Sequence, residues 1–596
     1  MQSLIDLLTD KIDITHVPFS DRGSRLLVYR DVNRNFLYIR LAERLIEYFS
    51  GIESYLTREP YIPELTFVNG VGEKLPFEIT TKPHVLEFQT DLGEYKLVFQ
   101  DIHTLCFSLP HCTQCGVRLR INAEACTKGS DGGEIYSVRN LAYSSKSKII
   151  KHQITFNKDK CELEFIVETD ENSLITLCIG NSCKPPLTTE SFPEMYRAAK
   201  LRWEEWFNQS PSVKQLYRES YAYAWWVLAN NMISPKGNIK FEMDVPSKKS
   251  YVGVWLWDSA LHAIALRHTD PELARDQIRG VLVNQQPDGM LPDTVFNDGI
   301  VTEIDHPIHG KVTKPPILAW AALKIHEIDF DLEFLNEIYE PLVKWNAWWF
   351  KENDDNQDGI VQYNHPYSSG LDDNPLWDYG MPVDSPDINT YLFIQMKSLA
   401  IIAEMLNKPS DNEYWSERAK NLLARVIDYF WDEKTGAFLS FHKNKAIQTL
   451  TPFNLYPLWT GELPANLRNR IIEHLKNPHE FYGDYMLPSV ARTEPTYDSD
   501  KMWRGPVWIN INYFFIEALQ QIGEFDLAKV IRKKTIQLIM DNSGLYEYYN
   551  SRTGKPGKNA APIFSWTAAL FIDLSIQASR ENNYQQTIKK EEIINE

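Results

Sequence analysis

Residues 331–352 read DLEFLNEIYEPLVKWNAWWFKE. Leu335, Ile338, Leu342, Trp345 and Trp349 fall three and four apart, the spacing of one face of an α-helix. The same period runs through 214–232, 271–286, 315–328, 385–407, 410–431, 464–477, 508–523, 524–542 and 563–577, and several of these segments open with Pro or Ser. Shorter pieces at 258–267 and 453–459 bring the helical segments to about twelve. Many are apolar over wide faces, as when each helix packs on two neighbours in a double-layered barrel.

Upstream the period is different. Phe77-Glu78-Ile79-Thr80, Tyr95-Lys96-Leu97-Val98-Phe99, Val117-Arg118-Leu119-Arg120-Ile121 and Leu163-Glu164-Phe165-Ile166-Val167 mostly alternate apolar and polar residues, as half-buried strands do. Leu26-Leu27-Val28-Tyr29 is apolar throughout and predicts a strand buried on both faces, whereas 37–49 has helical spacing and predicts a short helix. The expectation is an α+β multidomain chain: a β-sandwich over 1–190, a linker helix carrying Trp203, Trp206 and Phe207 over 191–211, a helical domain over 212–578, and a charged tail over 579–596 that frays.

Composition narrows the function. The chain has 596 residues, enough for two domains, and a net charge of −18, which argues against nucleic acid or an anionic membrane as partner. Aromatic residues reach 12%, with 17 Trp and 29 Tyr; their flat apolar faces and polar handles suit sugars as well as large cores. The start has no basic region followed by a long apolar run, and no uncharged apolar stretch approaches about 18 residues, so a soluble cytoplasmic protein is expected.

All seven cysteines fall between Cys106 and Cys183. Cys112 and Cys115, with His111 beside them and His103 and Cys126 nearby, would suit zinc, but no second pair at a standard spacing follows. Reduced thiols in and around strands are expected, disulfides being disfavoured without an export signal. Asp354-Asp355-Asn356-Gln357-Asp358-Gly359 mimics the start of a calcium loop, yet the twelfth position is His365 rather than Glu. No metal or cofactor is expected.

Two loops carry separated carboxylates: Ser369-Gly370-Leu371-Asp372-Asp373-Asn374-Pro375, and Glu547 among the tyrosines of 544–554. One protonated and one ionised carboxyl are what cleavage of a glycosidic bond by water requires. Trp257-Asp258-Ser259 and Trp503-Arg504-Gly505-Pro506-Val507-Trp508 each precede a helix. Asp258 would suit either a helix N-cap or a grip on sugar hydroxyls. Arg504 would bind substrate or pair with an acidic loop. Gln286-Pro287-Asp288-Gly289 has the residues of a turn.

Taken in order with Lys314-Pro315-Pro316, these motifs resemble those of glycoside hydrolase family 63 over most of 250–575. The resemblance implies an (α/α)6 barrel and hydrolysis of an α-linked glucoside or mannoside with inversion. It places the general acid on Asp372, with Asp373 as the neighbour to be told apart from it, and the general base on Glu547. It also implies a sugar site formed by Trp257, Asp258, Gln286, Asp288, Trp377, Arg504, Trp508 and Tyr548, with Arg504 or Lys314 as cationic contacts for an acidic aglycone. The expected partner is a small carbohydrate. The alternatives are an inverting glycoside phosphorylase, which would need no second carboxylate, and a carbohydrate-binding protein without turnover.

Overall fold

The computed structural model describes residues 3–44, 58–111, 114–185 and 188–595. The chain divides into two units, one of Met1–Ser210 with Ala229–Ser234 and Lys248–Val252, the other of Pro211–Leu228, Pro235–Ser247 and Gly253–Glu596.

In the first unit the described strands are β1 (Leu26–Asp31), β2 (Phe36–Leu41), β3 (Ile62–Asn69), β4 (Lys74–Leu75), β5 (Glu78–Lys82), β6 (Val85–Thr90), β7 (Gly93–Phe99), β8 (Thr104–Ser108), β9 (Gln114–Asn122), β10 (Ala125–Lys128), β11 (Gly132–Tyr136), β12 (Leu141–Ser144), β13 (Ile149–Asn157), β14 (Lys160–Glu168) and β15 (Leu174–Ile179). One antiparallel sheet runs β1-β2-β3-β9-β14-β13 with β4 on β3, and the other runs β10-β11-β12-β15-β8-β7-β6-β5. Phe67 on the first sheet stacks on Tyr95 at 4.2 Å and meets Phe88 and Phe107 edge-on, so the two sheets pack face to face. Helix α1 (Phe192–Asn208) opens on a Ser191–Glu194 capping box and lays Met195 and Ala199 on Val85, Val98, Cys106 and Leu174.

Two expectations fail in this unit. Residues 36–41 are a strand: Leu37, Ile39 and Leu41 are buried and pair in register with Ile39↔Val28 and Leu41↔Leu26, while Tyr38 and Arg40 turn outward. The start of the 37–49 segment also satisfies a period of two, Leu37, Ile39 and Leu41 alternating with Tyr38 and Arg40, and the neighbouring buried β1 decides between them; residues 45–49 lie outside the described ones. The second concerns cysteines. Cys178 and Cys183 form a disulfide, their Cα atoms 5.8 Å apart, whereas Cys106, Cys126 and Cys161 are free. Cys112 is outside the described residues, among which no group of three or more His, Cys, Asp or Glu side chains is placed to hold a metal.

The second unit is helical: α2 (Arg218–Asn231, which ends in the first unit), α3 (Leu256–Leu266), α4 (Pro271–Leu282), α5 (Leu318–His326), α6 (Leu332–Glu352), α7 (Pro386–Met405), α8 (Pro409–Phe430), α9 (Ala465–Lys476), α10 (Ile509–Gln521), α11 (Phe525–Met540) and α12 (Ser565–Asn595). Segment 452–460, expected to be helical, adopts the tighter 3-10 form, with Pro457 in its middle. Helices α3, α5, α7, the 3-10 segment, α10 and α12 each pack on the next, and α12 returns to α3, closing a ring. Every residue of α3 is buried, as is nearly every residue of α10, because these helices have neighbours on all sides. Helices α4, α6, α8, α9 and α11 bury one stripe only and pack outside. Asp331 and Asp270 cap α6 and α4 by accepting from Phe334 N and Leu273 N. No helix among the described residues is long and apolar enough to cross a membrane.

Where the ring closes, Asp573 on α12 is buried and accepts from Arg267 Nη2 at 2.9 Å, His268 Nε2 at 2.7 Å, Tyr513 Oη at 2.8 Å and Gln577 Nε2 at 2.7 Å. Burial opposes its ionisation, but Arg267 and His268 prevail and hold the carboxyl well below its ordinary value. Removing the carboxylate would strand a buried arginine, and Asp573→Ala is expected to cost about 3–5 kcal/mol. Because the folded value is depressed, the stabilisation is complete above the unfolded carboxylate value of about 4 and drains away as pH falls below it. Urea unfolding of wild type and Asp573→Asn against pH checks this: the gap between them should narrow in acid.

Candidate active site

The loops that lead from an outer helix into the next inner helix carry the chemistry. Asp293 and Lys314 lie between α4 and α5, Asp372 between α6 and α7, Trp503 and Arg504 between α9 and α10, and Glu547 between α11 and α12, while Asp258 sits in the first turn of α3. All of them therefore gather at the N-terminal ends of the ring helices.

The loop that carries Asp372 is stiff. Ser369 Oγ donates to Pro366 O at 2.6 Å and accepts from Leu371 N, and Asn374 Oδ1 accepts from Leu376 N at 3.1 Å. Gly370 has φ +79°, and a Cβ there would lie 2.4 Å from the indole of Trp257. Glycine is required twice over, for the backbone and for the ring laid against it. Trp377 Nε1 closes the loop by donating to Leu371 O at 2.7 Å.

Asp372 and Asp373 part company here. Asp373 Oδ1 accepts from Trp503 N at 2.8 Å, and its Oδ2 lies 3.9 Å from Arg504 Nε, so it fastens the loop to the 503–508 segment. Asp372 Oδ1 is buried and has no hydrogen-bond partner among the described residues; Lys314 Nζ faces it at 4.0 Å. Its side chain nevertheless keeps 34% of its surface exposed. Burial pushes the Asp372 carboxyl up to about 7; Lys314 opposes this, and Asp293 and Asp373 reinforce it. A carboxyl raised that far toward neutrality is suited to general-acid work.

The loop that carries Glu547 is joined to the same segment. Val507 N donates to Tyr549 O at 2.8 Å and Tyr549 N to Val507 O at 3.0 Å, so the chain that holds Asp373 at Trp503 holds Tyr549 four residues later. Glu547 is 5% exposed; its N donates to Ala561 O and its Oε2 accepts from Ala561 N at 3.1 Å, clamping backbone and carboxylate together. Asp258, 3% exposed, is held well above its ordinary value by burial, with Lys314 opposing and Glu547 and Asp293 adding, which sets it within electrostatic range of Glu547 and of the Asp293–Lys314 pair. It is not the cap of α3, a position occupied by Trp255.

The aromatic residues form a wall behind these groups. Trp503 and Trp508 stack at 3.4 Å and 8°, Tyr548 lies 4.9 Å from Trp508, and Trp257 meets Trp566 edge-on at 5.3 Å. Trp257, Trp508 and Tyr548 are buried, while Trp377 is half-buried against Tyr363 and Phe453. Arg504 is engaged by Asp378 through two bonds of 2.8 and 2.5 Å, the second of the two roles its sequence setting allowed. Gln286 and Asp288 build a turn: Gln286 N donates to Met290 O, Asp288 Oδ1 accepts from Met290 N, and Asp288 Oδ2 faces Lys311 at 3.4 Å. That turn delivers Asp293, one residue beyond the Met290-Leu291-Pro292 run, to Lys314. Asp293 was missed because a lone Asp after Pro carries no local signal; its partner is 21 residues away.

The calcium-like loop is closed by its own groups, Asp354 accepting from Asp358 N and Gly359 N and Asp358 accepting from Ile360 N. A groove of about 1180 Å³ bordered by α6, α7 and α8, with Phe350, Lys397, Tyr414 and Arg418 in its lining, contains none of the carboxylates above.

One carboxyl poised near neutrality and a second held in a rigid aromatic loop are the equipment of a glycoside hydrolase. The chain belongs to the mannosylglycerate hydrolase MGH1-like glycoside hydrolase family, whose domain model matches residues 251–567. It is similar to mannosylglycerate hydrolase of Rubrobacter radiotolerans, 25% identical over 415 residues that span 56% of this chain and 92% of that one. It is also similar to glucosylglycerate hydrolase of Mycolicibacterium hassiacum, 24% identical over 57% of this chain and 95% of the relative. Among solved structures, the GH63 mannosylglycerate hydrolase of Thermus thermophilus in complex with glucose shares the fold at TM-score 0.52 and 24% identity, over 59% of this chain and 99% of that one. A bacterial glucoamylase complexed with acarbose does so at TM-score 0.56 and 11% identity, over 94% and 92%. The chain is an inverting glycoside hydrolase.

Gly370→Ala tests the acid loop. The new methyl group would collide with Trp257 in a backbone region that favours glycine, and a loss of about 1–3 kcal/mol is expected, read as a lower Tm together with a fall in kcat.

Proposed function

We propose that Asp372 is the general acid and Glu547 the general base in hydrolysis of an α-linked glucoside or mannoside of a small sugar or polyol. The observation that carries this is the Asp372 carboxyl, pushed up to about 7, whose buried Oδ1 takes no hydrogen bond from any described residue, in contrast to Asp373, whose Oδ1 accepts from Trp503 N. Asp372 gives its proton to the leaving oxygen as the glycosidic bond breaks. Glu547 takes a proton from the water that attacks the anomeric carbon from the opposite face, which inverts the centre.

The closed ring of inner helices with five one-striped helices outside it supports an (α/α)6 barrel, and the paired sheets of the first unit support a β-sandwich. Asp258, in electrostatic range of Glu547 and Lys314, is the candidate for binding sugar hydroxyls, with Trp377 as the aromatic face still partly open. An acidic aglycone such as glycerate would ask for a cation, and Arg504, already gripped by Asp378, does not favour one here.

The acid works only while protonated, so kcat/KM should fall as pH rises through about 7. Asp372→Asn should abolish that limb and cut hydrolysis of unactivated α-glycosides by about 10²–10⁴-fold, and Glu547→Gln should do the same to the rate while leaving the fold intact. Proton NMR of the first-formed sugar should show the β-anomer. Full activity in either variant overturns the assignment.

A further inference from the structure

We propose that Asp293 and Lys314 form a buried ion pair that positions the Asp372 carboxyl and sets the charge it experiences. The inference rests on Asp372 being the acid.

Lys314 is 5% exposed, and its ammonium is spent in three directions: Asp293 Oδ1 at 2.7 Å, Tyr367 O at 2.6 Å and Asp372 Oδ1 at 4.0 Å. Asp293 is equally fixed. Its N donates to Val301 O, its carbonyl accepts from Leu256 N, and its Oδ2 accepts from Thr294 Oγ1 at 2.6 Å. The pair is therefore anchored at the start of α3, and Tyr367 belongs to the turn that opens the acid loop. Lys314 thus ties the loop to the ring helices from behind while leaving Asp372 Oδ1 unbonded.

The physical balance is specific. An unopposed ammonium about 4 Å from a buried carboxyl would favour the carboxylate and strip the acid of its proton at neutral pH. Asp293, in direct contact with that ammonium, offsets part of its field. The charged and titratable groups that face Asp372 are Lys314, Asp293, Asp373 and Tyr367, with Arg504 acting on Asp373 and Asp258 acting on Lys314. Burial alone would lower Lys314, but Asp293 and Asp372 overcome it and hold the ammonium charged, so the pair persists across the working range. Asp293 and Lys314 touch neither the attacking water nor the breaking bond in this scheme; they are positioning residues.

The test compares pH profiles of kcat/KM on an unactivated α-glycoside and on a glycosyl fluoride, whose leaving group needs no proton. Asp293→Asn should move the alkaline limb acidward by about one pH unit or more, and Lys314→Met should move it alkaline, with rates on the fluoride changed far less than rates on the glycoside. The double variant should bring the limb back toward wild type, and Lys314→Arg should retain most activity. A limb unmoved in both single variants, or both substrates slowed alike, overturns the proposal, since a merely structural pair would do that. If Asp293→Asn fails to fold, Lys314→Met and Lys314→Arg carry the same readout. If Asp372→Asn leaves the wild-type limb in place, the acid assignment itself has failed; if it removes the limb while the pair variants do not shift it, only the role of the pair has failed.

Discussion

An ammonium taken out of water must be met by negative charge or give up its proton. Lys314 is a buried cation at the end of the ring where the candidate carboxyl groups gather. Asp293 neutralises it, the carbonyl of Tyr367 takes a second proton, and Asp372 waits at 4.0 Å. These three come from two separate outer-to-inner loops. The geometry that satisfies the lysine is therefore also the geometry that brings the acid loop against the entry to α3. A hydrophobic residue in place of Lys314 would pack, but it would not specify where the loop must stand.

The second constraint is the 503–508 segment. Its first residues hold Asp373, its fifth pairs with Tyr549, and its two tryptophans stack on each other. A short stretch of chain fastens the acid loop at one end and the base loop at the other. Rigid positioning of two carboxyl groups is worth more to an inverting reaction than any single contact, because the water must fit between acid, sugar and base. Asp573 does the comparable work elsewhere in the ring, where two donors that follow α3, one from α10 and one from α12 converge on one carboxylate.

Much of this was legible beforehand. The helical periods marked nearly every helix of the second unit within a few residues, since long segments with neighbours on several sides leave a strong apolar record. The helix expected at 37–49 failed at 36–41, where a cross-strand partner outweighed local spacing, and Cys178 and Cys183 joined because the end of β15 brings them within reach. Gly370 was visible as a turn residue, but not as the platform for Trp257. Trp257 and Trp508 stood out as candidate sugar faces, yet they are buried against other rings, a fact that residue type cannot disclose.

What the sequence by itself determined was the change of period near residue 212, the pair of loops carrying Asp372 and Glu547, and the ordered motifs around them. These are local properties: spacing, turn residues and residue type. What only the tertiary structure decided was which of two adjacent aspartates is free. Asp372 and Asp373 are the same side chain one residue apart, and they differ because Trp503, 130 positions away, donates to one and Lys314, 58 positions the other way, faces the other. Burial and the charges around a carboxyl set its proton affinity, and both are properties of the folded chain.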